Sequence, residues 1–186
     1  FAAAFLFLYE GIYFQRSFSE RAVKHPNVLR AENLPAEIKG LLASIPPGRF
    51  RTILPLPYFH NGAEDLMLPV DNAGLYYTQL LAYHSGLPMM ASSMGRTSLE
   101  ETRELIATLA PGYYPYPLAK RFRDEDRILV FWTGGELPEE DRGVLERSTP
   151  LARSGAYELR SILAKDLFAD QRDTILAKAR TKRDSM

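Results

Sequence analysis

The chain contains no cysteine, which removes disulfides, thiol nucleophiles and thiolate metal sites together. That absence does not fix a compartment. Histidine is scarce as well: His25, His60 and His84 are the only three in 186 residues, and they are too scattered for a metal-site spacing such as HExxH. Neither GxxxxGK[ST] nor GxGxxG occurs, so a phosphate-cradling loop has no sequence support. An excess of one charge is also lacking, with 23 Lys plus Arg against 23 Asp plus Glu. No global field therefore draws the chain to nucleic acid or anionic lipid. No metal, no cofactor and no nucleic-acid partner is expected.

A long hydrophobic run is missing, but a short one opens the sequence: FAAAFLFLYEGIYF, residues 1–14. A membrane crossing takes about 20 apolar residues, and Glu10 and Gly11 interrupt this run. It also lacks the basic n-region and small-residue cleavage site of a signal peptide. The run reads as the end of a transmembrane helix over residues 1–15, followed by a polar juxtamembrane connector over 16–34 and a soluble domain over 35–186. The other reading is an amphipathic or buried helix of a soluble domain. Arg16, Arg21, Lys24 and Arg30 follow closely, a flank that the positive-inside rule assigns to the cytoplasm.

The remaining length suits one domain with its own core. PAEIKGLLAS (35–44) spaces Ile38, Leu41 and Leu42 as a short amphipathic helix with Pro in its first turn. FRTILPLPYF (50–59) predicts a buried strand whose prolines put it near an edge or end its pairing around Leu54. A helix is expected over 73–84, capped by Asp71 or Asn72 and stopped by Gly86. LPMMASS (87–93) predicts a second buried strand, with Met89 and Met90 as core filling. TSLEETRELIATLA predicts a helix capped by Thr97 or Ser98. RILVFW (127–132) is the clearest strand. A helix over 138–147, a strand over 156–163 and a charged helix from Lys165 to about Lys182 complete the order. Strands alternating with helices predict an α/β fold: a small three-layer domain of about four mainly parallel strands with helices on both faces.

In such a sheet, ligands gather at the carboxyl ends of the strands. That rule selects His60, Asn61, Glu64 and Asp65 after the first strand, Ser92, Ser93 and Arg96 after the second, and Thr133 to Glu136 after the third. Among these, His60, Glu64, Asp65 and Arg96 are the candidate ligand-binding residues. His60 with Asp65 or Glu64 has the makings of a general base and its orienting carboxylate, and Arg96 at a helix start suits a phosphate or carboxylate. The competing reading is a polar loop bonded to its own backbone. His84 falls in the last turn of its helix, where the dipole alone accounts for it. Tyr113, Tyr114 and Tyr116 form an aromatic loop suited to a sugar, a partner or plain packing.

ILPLPYF (53–59), followed by YYTQLLAYHSGLPMMASSMGRTS (76–98), resembles a pattern in the C-terminal extracytoplasmic region of bacterial polytopic membrane proteins related to GT-C-type, lipid-linked-sugar glycosyltransferases. The corresponding residues are Leu56 and Pro57, then Tyr77, Gln79, His84, Gly86 and Pro88, then Gly95 and Arg96. The chain departs from the pattern in the extra residues between Gln79 and His84, in Leu87 where a lysine is usual, and in Gly95 where a serine is usual. The resemblance covers about residues 50–98. It implies a protein that spans the bacterial inner membrane several times, with this chain as its extracytoplasmic tail and the catalytic carboxylate in an early loop outside it.

The resulting expectation is a non-catalytic domain anchored through its N-terminal helix, positioning an acceptor, a lipid-linked donor or a protein partner. Two alternatives stand beside it. One is a self-contained small-ligand binder or hydrolase-like enzyme using the His60, Asp65 and Arg96 edge. The other is a structural interaction domain docking through Tyr113 to Tyr116.

Overall fold

The computed structural model describes residues 9–16, 19–20, 26–62, 67–68, 72–94, 97–110, 114, 116–169, 176–177, 180–181 and 183. The chain divides into two compact units, Phe1–Leu34 and Pro35–Met186. In the first, residues 9–16 form helix α1, with Tyr9, Ile12, Tyr13 and Phe14 exposed and the Tyr9 and Tyr13 rings stacked 6.4 Å apart. Among the described residues no helix is long and apolar enough to cross a membrane. Residues 1–8 of the expected membrane segment lie outside the described residues.

The second unit is α/β. Its main sheet has the order β1 (Thr52–Leu56), β4 (Arg127–Trp132), β6 (Tyr157–Leu163), β5 (Thr149–Ser154). β1 and β4 are parallel, in register from Thr52 opposite Ile128 to Leu56 opposite Trp132. β4 with β6 and β6 with β5 are antiparallel. The sheet is thus mixed: the expected alternation of strand and helix holds through β4, and a hairpin then closes it. β5 falls in a stretch from which no strand was expected. Gly155, at φ +60°, turns the chain between β5 and β6, a conformation that residues with a Cβ rarely adopt.

Residues 87–94 run beside β1 without forming a full strand. Ile53 donates its N–H to Pro88 O and accepts from Met90 N–H, both at 2.8 Å, making a parallel bridge at Met89. The segment bends at Met90 and Ala91 and then pairs with β2 (His60–Asn61), whose Asn61 donates to Ser92 O and accepts from Met94 N–H. β2 also pairs antiparallel with β3 (Met67–Leu68). These bonds explain why Pro55 sits inside β1. Ile53 faces the 87–94 side, Leu56 accepts from Thr133 N–H on the β4 side, and strand alternation turns Pro55 with Ile53, away from the β4 ladder. Pairing continues to Leu56, past the Leu54 limit expected from the prolines, and the peptide bond that follows, Leu56–Pro57, is cis.

Helices cover both faces. α2 (Ala36–Ala43) and α3 (Asn72–Ser85) pack on one face, against β5 and β1 respectively. Ile38, Leu41, Ile53, Leu81, Leu129, Phe131 and Leu159 are fully buried. α3 ends at Gly86 with φ +69°, the left-handed stop expected of glycine. On the other face, Leu54, Leu56, Ile128, Val130 and Ile162 form one cluster with Leu118, Leu137, Val144 and Leu167. These come from the 3-10 turn Pro117–Arg121, the loop before α5, helix α5 (Glu139–Arg147) and helix α6 (Ala164–Leu167). α4 (Leu99–Ile106) begins where expected, with Ser98 Oγ accepting from Glu101 N–H at 3.1 Å. The charged helix expected from Lys165 to about Lys182 is interrupted: α6 ends at Leu167, residues 168–169 are not helical, and of the remainder only 176–177 and 180–181 are described, as helix.

Candidate functional site

The carboxyl ends of β1 and β4 meet at the place where ligand crevices form in open α/β sheets: the chain leaves β1 toward residues 87–94 on one side and returns to β4 on the other. Here the chain fills that place itself. Thr133 donates its N–H and directs its hydroxyl to Leu56 O, at 3.0 and 3.3 Å. Asp141, in the first turn of α5 and 4% exposed, accepts the Tyr58 N–H on Oδ2 at 2.7 Å. Burial raises the Asp141 carboxyl above its usual range; the Tyr58 bond opposes this and the Glu140 charge adds to it. The Tyr58 hydroxyl lies 2.8 Å from Met90 O and 2.7 Å from Leu105 O. Burial pushes that phenol well above its usual range. Tyr58 and Asp141 were not among the residues expected to matter, and the acidic first turn behind Pro138 was the one sign of the second.

His60 is fully buried in β2, and among the described residues neither ring nitrogen has a hydrogen-bond partner. Gly62 lies so close that a Cβ there would stand 2.3 Å from Nε2 and 2.6 Å from Thr97 Oγ1. Thr97 Oγ1 in turn is 2.9 Å from Thr102 Oγ1. Desolvation lowers the His60 pKa, with the Glu101 carboxylate opposing it. The residues expected to join it, Glu64, Asp65 and Arg96, lie outside the described residues, as does Tyr113. His84 closes α3, its ring edge-on to Tyr83 at 5.0 Å. Tyr116 packs on Phe168, ring centroids 5.6 Å apart, and donates to Ala110 O.

The open feature lies at the outer side of residues 87–94, where a groove of about 770 Å³ runs. Its floor is the segment from Pro88 to Met94. One wall comes from Leu105, Leu118 and Phe122, and Gln79 of α3 stands on the opposite side. Met89 and Met90, adjacent in sequence, both line the groove but differ in burial: Met90 is core at 3% exposure, whereas Met89 is half-buried. Arg51 lines it beside Thr52, whose hydroxyl bonds Pro88 O, so it marks the amino end of the segment. Glu101, in the first turn of α4, marks the carboxyl end. Arg121 on the wall is paired with Glu104 at 2.5 Å. Among the described residues no group of three or more His, Asp or Glu is placed to hold a metal.

Comparison with protein-family models, with curated proteins and with solved structures finds no match for this chain.

Proposed function

We propose that the chain is a binding domain, non-catalytic by itself, of a membrane glycosyltransferase-like protein, extracytoplasmic at the bacterial inner membrane, where it positions an acceptor, a lipid-linked donor or a protein partner. The sequence resemblance over residues 50–98 supplies the setting. The observation that carries the binding role is the groove along residues 88–94, with its half-buried methionine and apolar wall. Such a surface is equipped to hold an elongated occupant: apolar area for affinity and a few polar groups for orientation. Exposed Tyr9, Ile12, Tyr13 and Phe14 on α1 suit contact with an apolar phase.

The purified chain is expected to fold cooperatively, show no glycosyl transfer or hydrolysis, and sediment with vesicles in proportion to the apolar residues of α1. Turnover by this chain that His60→Ala abolishes would overturn the reading. It would favour instead a small-ligand site around His60, which the unpartnered imidazole supports.

A further inference from the structure

Strand geometry sends the backbone groups of successive residues to opposite sides. Along residues 87–94 the inward groups Pro88 O, Met90 N–H, Ser92 O and Met94 N–H bond β1 or β2, and Met90 O accepts from Tyr58. The outward set is Met89, Ala91 and Ser93. Their N–H and C=O groups make no hydrogen bond among the described residues, and all three residues line the groove. Two residues earlier the outward side is already closed, because Leu87 N–H is taken by Ser85 Oγ. The edge left open thus spans residues 89–93, with the bend at Met90 and Ala91 inside it. Unpaired strand edges are templates for another strand.

We propose that this edge receives an extended segment of another polypeptide, adding as an antiparallel strand with its basic end at Glu101 and its acidic end at Arg51. The charges fix the order along the axis. The Arg51 side chain is exposed at the amino end of the segment, and the Glu101 carboxylate stands at the carboxyl end, neither in an ion pair among the described residues. Antiparallel pairing is the more stable per residue and matches these ends to a sequence running from basic to acidic. Alternate side chains of the guest meet Leu105, Leu118 and Phe122 on one side and Gln79 on the other, so apolar residues belong at every second position. The recessed floor between these walls favours a bare extended segment over the edge of a second folded copy. This inference rests on the binding-domain reading and specifies its partner.

The test uses the full 186-residue chain and a fluorescein-labelled peptide, Lys-Val-Thr-Val-Thr-Val-Glu, followed by anisotropy. Its counterpart with the terminal charges exchanged is expected to bind about tenfold more weakly, and Arg51→Glu to erase that difference. Methylating the guest's alternate backbone nitrogens in one phase is expected to abolish binding, whereas methylating the other phase leaves it within about twofold. Met89→Pro removes one outward N–H and is expected to weaken binding by about tenfold while the chain keeps its circular dichroism. Equal loss from both methylation phases, tighter binding of the charge-exchanged peptide, or no binding by either peptide overturns the proposal. A chain dimeric in solution that Met89→Pro renders monomeric also overturns it, in favour of a second copy at the edge. The readouts are separate: peptide binding judges strand addition, and His60-dependent turnover judges the binding-domain reading.

Discussion

β5 and residues 89–93 border the same layer, and they manage the exposed backbone of a sheet edge in opposite ways. β5 carries Pro150, is irregular between Pro150 and Ala152, exposes Arg153, and touches α2. These are the devices by which edges avoid pairing with other chains: a missing donor, a broken ladder, a charge and a helix alongside. Residues 89–93, Met-Met-Ala-Ser-Ser, contain neither a proline nor a charge. Apolar and hydroxyl side chains stand there over unpaired amides, and Arg51 and Glu101, the lining charges in no ion pair among the described residues, sit at the two ends. An edge left unguarded while its counterpart is guarded is what a docking site requires.

Substitutions can break or sharpen this contrast. The largest effect is expected from Met90→Pro, which removes the inward N–H bonded to Ile53 O. Unfolding in urea should show a loss of about 3 kcal/mol, from the strained backbone and an orphaned buried carbonyl. Met89→Pro, one residue away but facing outward, should cost under about 1 kcal/mol. Similar losses at both positions would mean that the two sides of the segment are not different.

Next comes Asp141. Replacing it with Ala strands the buried Tyr58 N–H and should cost about 1–3 kcal/mol, whereas Asp141→Asn keeps an acceptor and should cost less. The sign of its pH dependence follows from the raised pKa. The folded state favours the protonated carboxyl, so this group's stabilisation is present below the unfolded value of about 3.9 and is lost as pH rises through the folded one. At pH 7 the Asn variant should therefore equal or exceed the parent in urea unfolding.

His60 has the opposite sign. Its folded pKa lies below the unfolded value of about 6.5, so its contribution is present above pH 6.5 and is lost as pH falls through the folded value. The melting temperature should drop between pH 7 and pH 5, and His60→Gln should flatten that slope. The smallest effect is expected from Pro150→Thr on β5, which restores a donor to the guarded edge. Stability should change by under about 0.5 kcal/mol, with any added self-association visible by sedimentation velocity.

Much of the fold was legible because local chemistry decided it. RILVFW is a strand to the residue, Ser98 caps α4, Gly86 ends α3, and Pro35 precedes α2. β5 escaped notice because TPLARS lacks a hydrophobic alternation and contains a proline; its partner β6 and the Ser-Gly turn at 154–155 create it. The site was less legible. Position at a carboxyl edge pointed to His60, but burial depends on Gly62 and Thr97 closing over the ring, contacts that sequence spacing does not encode. The open edge was hidden for a similar reason. LPMMASS reads as a buried strand, and nothing local tells which of its two sides finds a neighbour.

Tyr58 gives the groove a second connection. Its amide is held by the first turn of α5, and its hydroxyl by the carbonyls of Met90 and Leu105, one on the groove's floor segment and one on its wall. An occupant that tightens Met90 against Leu105 therefore favours the same placement of Tyr58 that Asp141 favours, and the two preferences reinforce each other. Such reinforcement is reciprocal by thermodynamic necessity: a guest that binds better when Asp141 accepts the Tyr58 amide must also shift the acidity of Asp141 when it arrives. Proton uptake or release on binding, compared between the parent and Asp141→Asn, would report the occupancy of the groove from the far side of the strand that lines it.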